Sequence, residues 1–249
     1  MNERTTPLAF AYCAKGEKYE KMAAQSVLTL KEQMPGADVR FLNPDDALAV
    51  FERFGGIEVP NAHLMGTRWG GPESLAPMLS RLAIPLLPQF ADCRRVFWMD
   101  CDTEVVSPDI KLLADIDLGN CAIGACRDLP LQLKNRCAQL HARLGCPRRW
   151  CYKCSGTLLF DLPRLEGCYE DVLQVMLKTL RTRFDVLRYP DQDLLNAFCD
   201  LYRLPQRYDC FVGYIPNDKR YDWDVPVVKH YCGAGRKLYK PRKEIWGGQ

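Results

Sequence analysis

The sequence has no apolar stretch long enough to cross a bilayer, so an integral membrane helix is not expected. Its opening residues, "MNERTTPLAF", carry one arginine but no apolar core and no small-residue cleavage site, so they do not read as a secretion signal. There is no internal repeat and no low-complexity linker, which favours one continuous domain. Charge is nearly balanced: 34 Lys and Arg against 31 Asp and Glu leave a net +3, too little to imply a nucleic-acid partner. The loop after the first apolar segment, "CAKGEKYEK", holds a single glycine. An enzyme that synthesises nucleotide sugars would need a glycine-rich, basic loop there.

Cysteine, by contrast, is plentiful. There are 13, an odd number at spacings that show no compact framework. A chain of 249 residues, 47% hydrophobic, buries enough core without disulfide staples. The cysteines therefore read as reduced, partly buried thiols, and a cytoplasmic location is expected. One stretch, "HARLGCPRRWCYKC", offers His141, Cys146, Cys151 and Cys154 as ligands for a structural zinc. A set of free thiols is the plainer interpretation.

Apolar patterning alternates along the chain. Strands are expected over residues 7–14, 37–43, 94–100, 121–128, 155–162 and 226–233. Helices are expected over 17–33, 44–55, 131–145, 170–183 and 191–202, with a proline-interrupted helix over 74–90. "TRWGGPES" reads as a loop. Strands alternating with helices predict the α/β class with a mixed, mainly parallel central sheet. The expected organisation is a single domain over 1–249, with a nucleotide-type half up to about Ile116 and a second half from 117 onward.

The chemistry concentrates at "RRVFWMDCDTEVV". The run from Val96 to Met99 has no polar residue on either face, the pattern of a central strand covered on both sides. Such strands present functional groups just past their C-terminal ends. In an extended chain Asp100 and Asp102 share a face, with Cys101 turned away. Two adjacent carboxylates disfavour each other's ionisation unless a cation lies between them. Their hard oxygens suit Mg²⁺ or Mn²⁺, with coordination positions left for a diphosphate. A plain turn would also use these residues. Further along, "YPDQDLLNAF" puts Asp191, Gln192 and Asp193 at a helix start, either as cap and first-turn acids or as pocket lining. "KHYCGAGRKLYKPRK" follows His230 with a glycine-rich turn and cations suited to phosphate, or to a solvated basic tail.

Taken in order, these segments resemble glycosyltransferase family 8, whose members are retaining transferases of the GT-A fold. "VFWMDCDTEVV" is similar to the family's Asp-x-Asp strand, and "CSGTLLFDL" to its Asn-(Ala/Ser)-Gly strand. "DQDLLN" is similar to its Asp-Gln-Asp helix start, and "HYCG" with the basic residues after it to its C-terminal His-Tyr-x-Gly segment. "SRLAIPLL" resembles the arginine-bearing helix before the metal strand.

The resemblance implies a Mn²⁺ or Mg²⁺ held by Asp100, Asp102 and His230, bridging the diphosphate of a UDP-sugar or similar donor. Arg81 and Asp128 would contact the donor, mainly its sugar. Asp191 would bind a sugar hydroxyl, and Gln192 would lie beside the anomeric carbon. Gly233 and a cation, Arg236 or Lys237, would bind the β-phosphate. Cys154 stands where the family has Asn, a departure at a donor-sugar contact, and the first loop lacks the usual Asp/Asn-rich nucleotide contacts. The implied activity is hexosyl transfer to an acceptor hydroxyl on a glycan, lipid or protein. A neutral Gln192 is a poor nucleophile, which leans towards attack on the leaving-group face. The alternative is a nucleotide-sugar-binding protein that keeps the fold without turnover. The basic, aromatic C-terminal segment is compatible with a peripheral membrane contact.

Overall fold

The computed structural model describes residues 4–59, 72–128, 135–147, 149, 151–213 and 225–247. The chain opens with β1 (Thr6–Tyr12), α1 (Glu17–Gln33), β2 (Asp38–Phe41) and α2 (Pro44–Glu52). Helix α1 has the bounds its periodicity predicts, with Glu17 and Glu20 in its first turn and Lys31 in its last, favourable to the helix dipole. Helix α2 starts where Asn43 accepts the Asp45 N–H at 3.1 Å, with Pro44 in its first turn.

The proline-interrupted segment is helical in pieces: α3 (Pro72–Leu79), then 3₁₀ turns over Ser80–Leu86 and Pro88–Phe90. Pro85 and Pro88 remove backbone donors, so the chain tightens instead of continuing as one α-helix. Next come β3 (Cys93–Met99), β4 (Thr103–Val105), β5 (Ile123–Arg127), α4 (Arg136–Leu144), β6 (Lys153–Asp161), α5 (Leu162–Leu165) and α6 (Tyr169–Thr182). The expected helix over 131–145 is described from Arg136; residues 131–134 lie outside the described residues, as does most of the expected loop over 67–74.

Helix α7 (Pro190–Phe198) is shorter than its periodicity predicts. Cys199 is extended, and Leu201–Arg203 forms β7, paired in parallel with β5. The chain closes with β8 (Cys210–Phe211), β9 (Val228–His230) and α8 (Lys243–Trp246).

Six strands form one sheet in the order β2-β1-β3-β6-β5-β7. Pairing is parallel except along β6, which runs against both β3 and β5. The sheet is therefore mixed and mainly parallel, as expected. Strand β3 is central, and its residues alternate between two cores. Val96 and Trp98 face the side packed by α2, α3, α6 and α7; Phe97 and Met99 face the side of Leu30, Ile110 and Val228. A second sheet, β4-β9-β8, crosses the C-terminal end of β3. Because β6 is antiparallel, its first residues lie at that same end.

Candidate active site

Strand β3 ends at Met99, and the chain turns at once. The Thr103 hydroxyl donates to the Asp100 carbonyl at 2.8 Å, and β4 begins. Asp100 and Asp102 thus converge across a tight turn, not along the continued strand that their spacing suggests. Cys101 does turn away, its thiol on the Cys13 carbonyl at 3.2 Å. The register of the second sheet supplies the third group. Thr103 pairs with His230 across β4 and β9, and the Tyr231 N–H donates to the Asp102 carbonyl at 2.8 Å.

His230 Nε2 consequently lies 3.2 Å from Asp102 Oδ1 and 3.9 Å from Asp100 Oδ2. One ligand atom from each of the three residues lies within 4.8 Å of the others. His230 is buried, and its Nε2 makes no directed hydrogen bond among the described residues. An unbonded ring nitrogen facing two carboxylates fits a divalent cation such as Mn²⁺ or Mg²⁺. The charge balance points the same way. Burial works to raise the Asp102 carboxyl, but His230 and Arg236 hold it down at about 2. Burial pushes Asp100 up against the pull of Arg81, and Asp102 adds to the push. Burial works to lower His230, yet the acceptors around it, Cys232, Asp209 and Asp102, raise it well above its ordinary value.

The opposite edge of the ring is built as closely. His230 Nδ1 lies 2.8 Å from Asp209 Oδ1, and the Phe211 ring packs at 5.4 Å between centroids. Gly156, in β6, leaves room for the ring: a Cβ there would sit 2.3 Å from His230 Cε1. Asp209 has no place in the expected site. Its only local signal is an acid between apolar residues in "RYDCFV".

Arg81 ties the rest together. Its Nη2 lies 3.0 Å from Asp100 Oδ1 and its Nη1 3.2 Å from Asp191 Oδ2. It also donates to the carbonyls of Ser155 at 2.5 Å and Met78 at 3.0 Å, and its guanidinium stacks 4.6 Å from the Trp98 ring centroid. The Trp98 indole N–H donates to Asp100 Oδ1 at 3.1 Å. Asp191 is the second residue of α7, after the N-cap Tyr189, so it is an ion-pair partner and not the cap. Gln192 is held at both ends: Oε1 accepts the Ser155 N–H at 2.9 Å, and Nε2 donates to Asp128 Oδ2 at 2.6 Å. Arg81, Asp100, Asp128, Asp191 and Gln192 therefore share one hydrogen-bonded wall.

In the C-terminal segment, Gly233 starts a 3₁₀ turn that brings Arg236 Nε within 3.5 Å of Asp102 Oδ2. Gly235 is required by close packing, since a Cβ would lie 2.3 Å from the Val212 carbonyl oxygen. Lys237 is exposed and enters none of the described ion pairs, so Arg236 is the cation that faces the cluster. Asp193, expected as a first-turn acid, is fully buried. It takes Arg136 Nε and Nη2 at 2.8 and 2.5 Å, the Tyr152 hydroxyl at 2.6 Å and the Arg188 N–H at 2.7 Å.

The zinc expectation is corrected. Among the described residues, His141, Cys146, Cys151 and Cys154 do not gather their ligand atoms. His141 Nδ1 contacts the Cys146 carbonyl at 2.6 Å, and Cys146 packs with Cys137, Leu140 and Tyr152. Cys154 lies instead beside Asp209 and His230, its sulfur accepting the Gly156 N–H at 3.3 Å. Cys154 therefore belongs to the His230 group, and among the described residues the four candidate ligands share no site. Burial pushes the Cys154 thiol well above its ordinary value. All thirteen cysteines are free.

Comparison with known proteins identifies the family and the fold. The sequence model of Glycosyl transferase family 8 matches residues 75–241. A Haemophilus influenzae (strain ATCC 51907 / DSM 11121 / KW20 / Rd) protein described as a glycosyltransferase is 25% identical over 156 residues, 59% of this chain and 44% of that protein. The match thus spans less than half the length of this curated relative. Among solved structures, the galactosyltransferase LgtC in complex with donor and acceptor sugar analogs is similar at a TM-score of 0.64. Its identity is 20%, over 96% of this chain and 91% of that one. Mouse xyloside xylosyltransferase 1 is similar at a TM-score of 0.59 and 14% identity, over 90% of this chain and 96% of that one. At these identities the likeness carries the fold, which is GT-A. The family match covers most of the chain and takes in the aspartates, the α7 start and His230, so the chain belongs to glycosyl transferase family 8, a family of retaining glycosyltransferases.

Proposed function

We propose that the chain transfers a hexose, with retention, from a nucleotide diphosphate sugar to an acceptor hydroxyl on a glycan, lipid or protein, in a metal-dependent reaction. UDP-glucose and UDP-galactose are the leading donors. The observation that carries this reading is the cluster of Asp100, Asp102 and His230, with a buried Nε2 left unbonded between the carboxylates. A Mn²⁺ or Mg²⁺ held there would supply Lewis-acid stabilisation to a departing diphosphate. Arg236, half exposed beside Asp102, is free to turn its guanidinium to the same charge.

On the sugar side, Arg81 holds Asp191 and Asp100 in fixed positions, which suits contacts to donor hydroxyls. Gln192 has its carbonyl oxygen committed to Ser155 and its amide to Asp128. An oxygen engaged in this way is poorly placed to attack an anomeric carbon, which supports attack on the leaving-group face. On this reading the residues before about Ile116 carry the nucleotide and those after it the acceptor. Free thiols throughout suit a cytoplasmic setting. No helix among the described residues is long and apolar enough to cross a membrane.

The test is thermal melting of the purified protein with UDP, with Mn²⁺, and with both. A ligand at 100 times its dissociation constant stabilises by about 2.7 kcal/mol. A large upward shift only when both are present is expected. No shift with UDP or any other nucleoside diphosphate would refute the transferase reading.

A further inference from the structure

His230 has two edges, and the reading above uses one of them. The Nδ1 edge meets Asp209 Oδ1 at 2.8 Å. Asp209 is fully buried, and its second oxygen, Oδ2, has no hydrogen-bond partner among the described residues. A buried carboxylate with half its acceptors unused is costly, and an Asn would satisfy a single hydrogen bond at lower cost. Such a charge is worth keeping where it faces a cation.

Asp209 is also built into place. Its N–H donates to the Gln206 carbonyl at 3.0 Å, and its own carbonyl accepts Gln206 Nε2 at 2.8 Å. It immediately precedes β8, whose Phe211 pairs in register with His230. Phe211 and Gly156 fix the plane of the ring; the contact with Asp209 fixes which edge points where.

We propose that Asp209 is a positioning residue for metal binding: it accepts the Nδ1–H of His230, so that the Nε2 lone pair faces Asp100 and Asp102, and its negative charge strengthens Nε2 as a ligand. The inference rests on the proposed metal site and assigns to it a residue beyond the three ligands. Carboxylate partners of metal-bound histidines act in this way, and their loss weakens metal binding by about 10–100-fold.

The test titrates Mn²⁺ into protein plus UDP and reads free Mn²⁺ by electron paramagnetic resonance, for the wild type and Asp209→Asn. Melting without metal checks that the variant is folded. The expected result is a Mn²⁺ midpoint raised by about 10–100-fold. A folded variant with the wild-type midpoint overturns the proposal and leaves the metal site standing. A wild type that takes up no Mn²⁺ with UDP overturns both. If the variant does not fold, ¹⁵N shifts of His230 in the wild-type Mg²⁺–UDP complex decide: a proton on Nδ1 is expected, and a proton on Nε2 refutes the assignment.

Discussion

Replacing Gly156 with alanine tests the site through a single methyl group. The added Cβ would lie 2.3 Å from His230 Cε1 and 2.9 Å from Nδ1. Carbon atoms make ordinary contact at about 3.5–4.0 Å, so the imidazole must retreat by more than about 1 Å. It has nowhere to go, because the ring is buried against Phe211 and held by Asp209. Metal ligation tolerates about 0.2 Å, so the retreat removes His230 as a ligand. Overpacking of this kind costs about 1–3 kcal/mol. In a chain of 249 residues each kcal/mol lowers the melting temperature by about 2–4 °C. The assay is melting with and without Mn²⁺ plus UDP. The variant is expected to melt several degrees lower and to lose the ligand-induced shift. Gly36→Ala, at a position with nothing within 4 Å of its Cβ, is the control and should keep the shift. A full shift at unchanged Mn²⁺ concentration in Gly156→Ala would refute the dependence of the site on this ring position.

Gln192→Ala should lower kcat far more than it raises KM for the donor, measured by steady-state kinetics; equal losses in both would remove Gln192 from the catalytic step. Arg136→Ala should cost roughly 3–5 kcal/mol in urea unfolding, because it strips a fully buried Asp193 of its ion pair. A loss below about 1 kcal/mol would place that pair with ordinary surface contacts. Hydrogen bonds from Arg40 hold the Asp92 carboxyl below the usual carboxylate range. A lowered folded value means that the contribution is present above the unfolded value of about 3.9 and is lost as pH falls towards the folded one. The melting gap between wild type and Asp92→Asn should therefore be full at neutral pH and shrink below about pH 4, and it should be small, since Asp92 is half exposed. A gap that stays constant into acid would refute the assignment.

What the sequence made legible was local. Helix α1 could be bounded because its apolar spacing is close to the helical period, and its acidic first turn agrees. Strand β3 and its two aspartates could be recognised because an unbroken apolar run ends in acids. Helix α7 was overextended because 3.6-residue spacing continues through "FCDLY", while the parallel partner β5 recruits Leu201–Arg203 as a strand. The buried ion pair of Asp193 and the whole role of Asp209 were not legible for the same kind of reason: Arg136 is 57 residues from one and His230 is 21 from the other, joined only by tertiary pairing.

That pairing also explains how the two like charges that end β3 are tolerated. Asp100 has Arg81 on one side, Asp102 has Arg236 on the other, and His230 stands between them. Asp191 and Asp209 back the same cations from behind, so acids outnumber bases around one buried imidazole. A set of groups so unbalanced is stable as a binding site for further positive charge. It makes poor sense as a turn, where one aspartate and a few backbone N–H groups would be enough.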